Sequence, residues 1–238
     1  MRFRPSVGLS LLLLALALLF LRLGLWQLDR KAGKEALFER FANAPSLEIG
    51  QALDRSEEFA RVDARGHYDA VRSVLLDNRI WNGRAGVHVL TPFVLTDGRV
   101  LMVNRGWLPL APDRASLPAV ATDSAPRQIS GRLVRPPTGG VRLGQPDPLA
   151  PAEWPQLVTY LELDAVSRAL GTPVEPWILQ LDAADPSGFD GRDWQPAVMG
   201  PETHGAYAVQ WFGLCAASVV IWLVLGVRRG RPAEEKDG

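Results

Sequence analysis

The side chains best suited to chemistry gather at one point of the chain, where His204 is followed by Tyr207, Ala208 and Trp211. On a helix these positions, at i+3, i+4 and i+7, share a face with the histidine. An imidazole nitrogen beside two aromatic rings could serve a large flat apolar ligand with a metal centre, giving it an axial donor and walls to pack on. The same residues also describe an interfacial histidine in an ordinary aromatic belt, and residue types leave both readings open. Gln210 lies next to this face, and an amide at membrane depth needs a partner on another helix. Trp26 and Gln27, at the matching depth of an earlier apolar segment, are the candidates to supply it.

Other chemistry is sparse. The sequence has no G-x-S-x-G elbow, no glycine-rich phosphate loop with its lysine and no H-E-x-x-H. It has one cysteine and three histidines, so it offers no disulfide and little material for a multi-histidine metal site. His67 and His88 fall in strand-like stretches, where a structural role is the ordinary one. A second polar cluster, Asn104-Arg105-Gly106-Trp107-Leu108-Pro109, closes a β-rich run. Asn104, Arg105 and Trp107 there could form an exposed partner-docking anchor; equally, Trp107 could plug a barrel end while Arg105 pairs with an acid. Lys plus Arg and Asp plus Glu number 26 each, so net charge does not call for nucleic acid.

The elements that must position these residues begin with two apolar blocks. Val7 to Leu21 carries no charge and continues through Trp26 if Arg22 snorkels, giving about 20 residues, enough for a hydrocarbon core of about 30 Å. No suitable small-residue cleavage site follows it before Lys31, so it reads as an uncleaved anchor. Ala206 to Val227 is a second uncharged block that stops at Arg228, Arg229 and Arg231. Basic residues outside both blocks place both termini in the cytoplasm. The expected order is therefore a cytoplasmic N-terminus (1–6), a first transmembrane helix (7–26), an extracytoplasmic domain (27–204), a second transmembrane helix (205–227) and a cytoplasmic tail (228–238).

Between the helices, Asp29 to Asn43 has Leu37, Phe38 and Phe41 on one helical face and reads as an amphipathic extension of the first helix, ended by Pro45. Period-two patterning follows at Arg61 to Asp69, with a short apolar run at Val74 to Asp77. Val87 to Leu95 and Val100 to Leu108 flank an Asp97-Gly98 turn and predict a hairpin. Gln128 to Val134, Leu157 to Leu163 and Trp177 to Leu181 are further strands, and Asp164 to Leu170 is a short helix with Asp164 as N-cap and Gly171 past its end. Pro109 to Pro126 and Pro136 to Pro155 read as loops. Six or seven short strands predict a mostly β domain whose antiparallel sheet curls toward a barrel or sandwich, with one or two short helices.

Three motifs then carry a resemblance: Gly24-Leu25-Trp26-Gln27-Leu28-Asp29-Arg30 with Lys34, Asn104-Arg105-Gly106-Trp107 with Pro109, and His204-Gly205-Ala206-Tyr207-Ala208-Val209-Gln210-Trp211-Phe212. In this order and topology the chain resembles a bacterial member of the surfeit locus protein 1 family, membrane proteins that assist assembly of haem-copper terminal oxidases. Glu202 and Thr203 before the histidine, and Cys215 after it, depart from the family pattern. The resemblance implies a non-enzymatic, chaperone-like protein of the cell inner membrane with a periplasmic central domain. It would bind haem a at the outer interface and present it to subunit I of cytochrome c oxidase, or to a related quinol oxidase, among other oxidase assembly factors and membrane lipid. His204 would be the axial iron ligand, with Tyr207, Trp211, Trp26 and Gln27 lining the macrocycle. The alternative is a cofactor-free scaffold that docks subunit I through its outer domain.

Overall fold

A computed structural model describes residues 5–112, 114, 116–137, 149–196 and 199–229. Arg2, Arg4, Arg231 and most of the expected 136–155 loop lie outside them. The chain divides into two compact units, one drawn from Met1–Ala42 and Gln195–Gly238, the other being Asn43–Trp194.

The first unit is a pair of long helices, α1 (Val7–Ala42) and α4 (Pro201–Arg229). Leucine and alanine dominate α1, and the helix stops at Ala42 because Asn43 and Pro45 no longer support it. Its 36 residues include the expected charged extension. Pro201 occupies the first position of α4, where its missing N–H costs nothing, and Glu202 in the first turn suits the helix dipole. Both helices are long and apolar enough to cross a membrane, and the chain is a membrane protein with one such helix toward each end.

The two run antiparallel. Trp222 Nε1 donates to Ser10 Oγ at 2.9 Å toward one end, and Lys31 packs its stem on Gly205 toward the other. Between them the Phe20 and Trp211 rings stack at 5.8 Å. At Gly24 a Cβ would stand 2.4 Å from the Phe212 ring, so the absence of a side chain there sets how closely the helices approach.

The second unit is a β barrel with additions. After β1 (Ser46–Glu48) and the short α2 (Ile49–Asp54) come β2 (Arg61–Tyr68), β3 (Val74–Trp81), β4 (Arg84–Leu95), β5 (Val100–Pro109), β6 (Arg127–Val134), β7 (Gln156–Val158), α3 (Leu163–Leu170) and β8 (Val174–Leu181). Strands β2, β6, β8, β5 and β4 pair in that order, and β4 closes the ring by pairing Phe93, Val94 and Leu95 with β2. The first half of β4 pairs instead with β3, which carries β7 on its other edge. A single long strand thus serves both the barrel and its side sheet.

Alternation explains the interior. In β2 the side chains of Val62, Ala64 and Tyr68 point inward, and Tyr68 meets Phe93 edge-on at 5.0 Å. Leu101, Val103, Ile129, Leu133, Trp177, Leu179 and Leu181 fill the same core. A second cluster, with Leu76, Leu90, Met102, Val166 and Ile178, packs α3 onto the outside, which is why β5 is buried on both faces. At Gly66 a Cβ would lie 2.0 Å from the Val94 carbonyl oxygen, so the closing strands meet where only glycine fits.

The hairpin forms as expected, with Leu95 N donating to Arg99 O at 2.8 Å and Gly98 at φ +87. Several expectations need correction. The sheet is mixed rather than antiparallel: β1 with β2, β3 with β7 and β5 with β8 are parallel pairs. Strand direction leaves no trace in a period-two pattern, and long connections let the chain return the same way. The strand expected at Leu157 to Leu163 is only Gln156–Val158, and Glu162, not Asp164, occupies the N-cap position of α3. Gly171 ends α3 in the left-handed region, as expected.

Candidate functional site

The helix pair brings the first and third motifs together. Gly24 and Gln27, one turn apart on α1, meet Phe212 and His204 of α4. His204 Nδ1 lies 2.8 Å from Gln27 Oε1, and Gln27 is buried although it stands in an apolar helix. The glycine brings the helices close enough for the glutamine to reach the histidine. Ala208 at 1% exposure is the seam residue one turn below His204, and Trp211 continues the seam against Phe20.

Two of the expected partners stand elsewhere. Trp26 is 48% exposed and lies under the Arg30 guanidinium at 5.5 Å; successive helical residues point about 100° apart, so Trp26 and Gln27 cannot both face α4. Tyr207 is 45% exposed, on the flank of the His204 face rather than in the seam. The amide partner expected for Gln210 does not come from Gln27, whose carboxamide goes to the histidine; Gln210 is exposed on α4.

The donor set restricts what His204 could hold. Among the described residues no group of three or more His, Cys, Asp or Glu could hold a metal ion. One imidazole is too few donors for a bare ion, whereas a metal that arrives inside a macrocycle lacks only an axial ligand. The residues present therefore fit a haem better than a free cation.

The second motif proves to be internal. Asn104, Arg105 and Trp107 are buried, with Arg105 4% exposed, so they do not form the surface anchor that was one expectation. Nor does Arg105 form the ion pair of the other expectation with any acid among the described residues. Its guanidinium sits between the Tyr68 and Phe189 rings at 4.8 and 4.7 Å, and donates to Ser187 O, Ala121 O and Thr122 Oγ1 at 2.8, 3.0 and 2.6 Å. These acceptors belong to the two loops that follow β5 and β8, and one buried cation pins both to the barrel.

Gly106 has φ +112, and a Cβ there would stand 2.5 Å from Asp190 O, so the strand must carry glycine between its arginine and its tryptophan. Trp107 N donates to Asp190 O at 2.7 Å, and Trp107 Nε1 to Arg79 O at 2.9 Å. Trp107 thus plugs one end of the side sheet beside Trp81, at 5.4 Å between ring centroids.

Asn104 Nδ2 reaches His88 Nδ1 at 3.3 Å while its Oδ1 accepts the Gly106 N–H at 3.2 Å. His88 packs edge-on against Trp194 at 5.5 Å. Burial, assisted by the Arg79 charge, pushes its pKa down to about 4. His67 is exposed on β2. Among the described residues neither histidine belongs to a group of three or more His, Cys, Asp or Glu.

A two-helix membrane protein with a histidine-bearing helix seam and a separate barrel domain is the class these features define. Over residues 14–216 the chain matches the model of the SURF1 family, and it belongs to that family. It is 29% identical to Surfeit locus protein 1 of Xenopus tropicalis, over 92% of this chain and 76% of that protein. It is 27% identical to a SURF1-like protein of Monosiga brevicollis, over 94% and 89% of the two chains. A SURF1-like protein of the bacterium Rickettsia bellii is 25% identical over 85% and 84%.

Gly24 and Phe212 stand within the first and third motifs, where residue type alone assigns neither a role. The signal was available, since a glycine inside an apolar helix usually marks close packing. The cage around Arg105 left none, because Tyr68, Thr122 and the Ser187–Phe189 pair come from three distant stretches.

Proposed function

We propose that this chain is a non-enzymatic assembly factor for a haem-copper oxidase of the cytochrome c oxidase type, holding haem a through His204 and passing it to subunit I. Membership of the SURF1 family supports the oxidase, and the lone seam histidine backed by a buried amide supports the cofactor. Haem a, when bound, would supply a redox-active iron with a position for one imidazole nitrogen. His204 would hold that position, Trp211 and the exposed ring of Tyr207 would give apolar wall, and Trp26 beneath Arg30 would lie at the rim. The reading sets the protein in the cell inner membrane with both termini cytoplasmic and the barrel domain periplasmic, as the arginines outside both helices favour.

The observation that carries the proposal is the 2.8 Å contact between His204 and Gln27, which sets a polar pair in the seam between two apolar helices. After co-expression with haem a synthesis, the purified protein should show a haem spectrum that His204→Ala loses. Unchanged haem content in that variant would remove His204 as ligand. A colourless parent protein that still co-purifies with subunit I would instead identify a cofactor-free docking scaffold.

A further inference from the structure

We propose that Gln27 is the positioning residue of this site: its carboxamide oxygen accepts the Nδ1 proton of His204 and so leaves Nε2 as the one nitrogen free to ligate a metal. The first half of the inference stands on the helix pair alone, and the second rests on the haem reading above.

A neutral imidazole carries one proton, and the nitrogen that holds it cannot bind a metal. Gln27 Oε1 can only accept, so the nitrogen facing it at 2.8 Å must donate. The proton therefore sits on Nδ1 and the lone pair on Nε2. Ligating histidines in general depend on such an outer partner to fix tautomer and ring orientation.

The helix geometry makes the arrangement specific. Gly24, one turn from Gln27, brings α1 within reach of α4 by accepting the Phe212 ring, and Lys31, one turn the other way, lays its stem on Gly205. Gln27 is thereby held against the first turn of α4, buried and with little freedom to swing away. An amide rather than a carboxylate avoids a buried charge at the edge of the membrane. It also leaves the imidazole a weaker donor than a carboxylate partner would, which suits a ligand meant to be handed on.

The test uses the full-length protein in detergent, with ¹⁵N spectra of the ring recorded at a pH where the imidazole is neutral, and then titration with ferric haem a. The parent should show a protonated Nδ1 and a lone pair on Nε2. Gln27→Leu should shift the ring toward the Nε2–H form and weaken haem binding about 10–100-fold. Gln27→Glu should restore the Nδ1–H form and the affinity, with an iron reduction potential below the parent's, because an anionic partner strengthens the imidazole as a donor.

Three results would overturn the inference: an Nε2–H ring in the parent, the same tautomer in parent and Gln27→Leu, or unchanged haem affinity in Gln27→Leu. If the parent takes up no haem, the ligand reading of His204 falls, and the ring spectra alone decide whether Gln27 sets the tautomer. Rescue by glutamate separates positioning from a loss of helix packing, since leucine packs in an apolar seam but lacks the accepting oxygen that glutamate keeps.

Discussion

Histidine is the residue whose meaning depends most on its neighbours, and this chain sets its three in different surroundings. His88 lies inside the β domain against Trp194 and Asn104, with Arg79 adding a repulsive charge to the cost of burial. Its folded pKa of about 4 lies below the ordinary 6.5, so the unfolded chain takes up a proton first as pH falls. The domain should therefore keep the full contribution above about pH 6.5 and lose it progressively toward about pH 4, up to about 3 kcal/mol, with no further loss below. Thermal melts across that window should show the slope in the parent and a flatter profile in His88→Gln; parallel profiles would mean the group is not the source. His67 is exposed, and His204 takes its place from a residue on another helix. Nothing in the sequence around His204 distinguishes which ring nitrogen is free, because the partner that decides it is 177 positions away.

At the scale of elements, the contact between α1 and α4 rests on a small residue facing a large ring. Adding a methyl at Gly24 would put carbon 2.4 Å from the Phe212 ring, which must turn or force the helices apart. Gly24→Ala should lower the melting temperature of the detergent-solubilised protein, by a cost of about 1–3 kcal/mol, and trimming the ring with Phe212→Leu should recover much of it. Additive losses in the double variant would show that the two positions do not meet. The elements themselves were largely legible. Both apolar helices, the Asp97-Gly98 hairpin, β2 and α3 follow from periodicity and turn residues, which act within a few positions of one another. Strand direction, the short β1 and the length of β7 were not, because pairing partners far along the chain decide them.

For the whole molecule, the division into two units has a direct consequence. Among the described residues the barrel core is built from residues between Leu47 and Leu181, and Trp194 ends the unit by donating its Nε1–H to Leu181 O at 2.8 Å. A fragment spanning Asn43–Trp194 should therefore fold without the helices, giving a cooperative melt and a β-rich circular dichroism spectrum in the absence of detergent. A fragment that is soluble only as an unstructured chain would show that the helices are needed for the core. By itself the sequence determined the membrane class, the two helices, the mostly β character of the middle and the three motifs that mark the family, since each depends on composition or on spacing along a single element. Only the tertiary structure decided what those motifs do locally. It closed the barrel through β4, turned Arg105 and Trp107 from a possible docking surface into an internal clasp, and set Gln27 rather than Trp26 against His204. The reason is the same in each case: burial and hydrogen-bond partnership belong to pairs of residues, and the second member of each pair lies where no local pattern reaches.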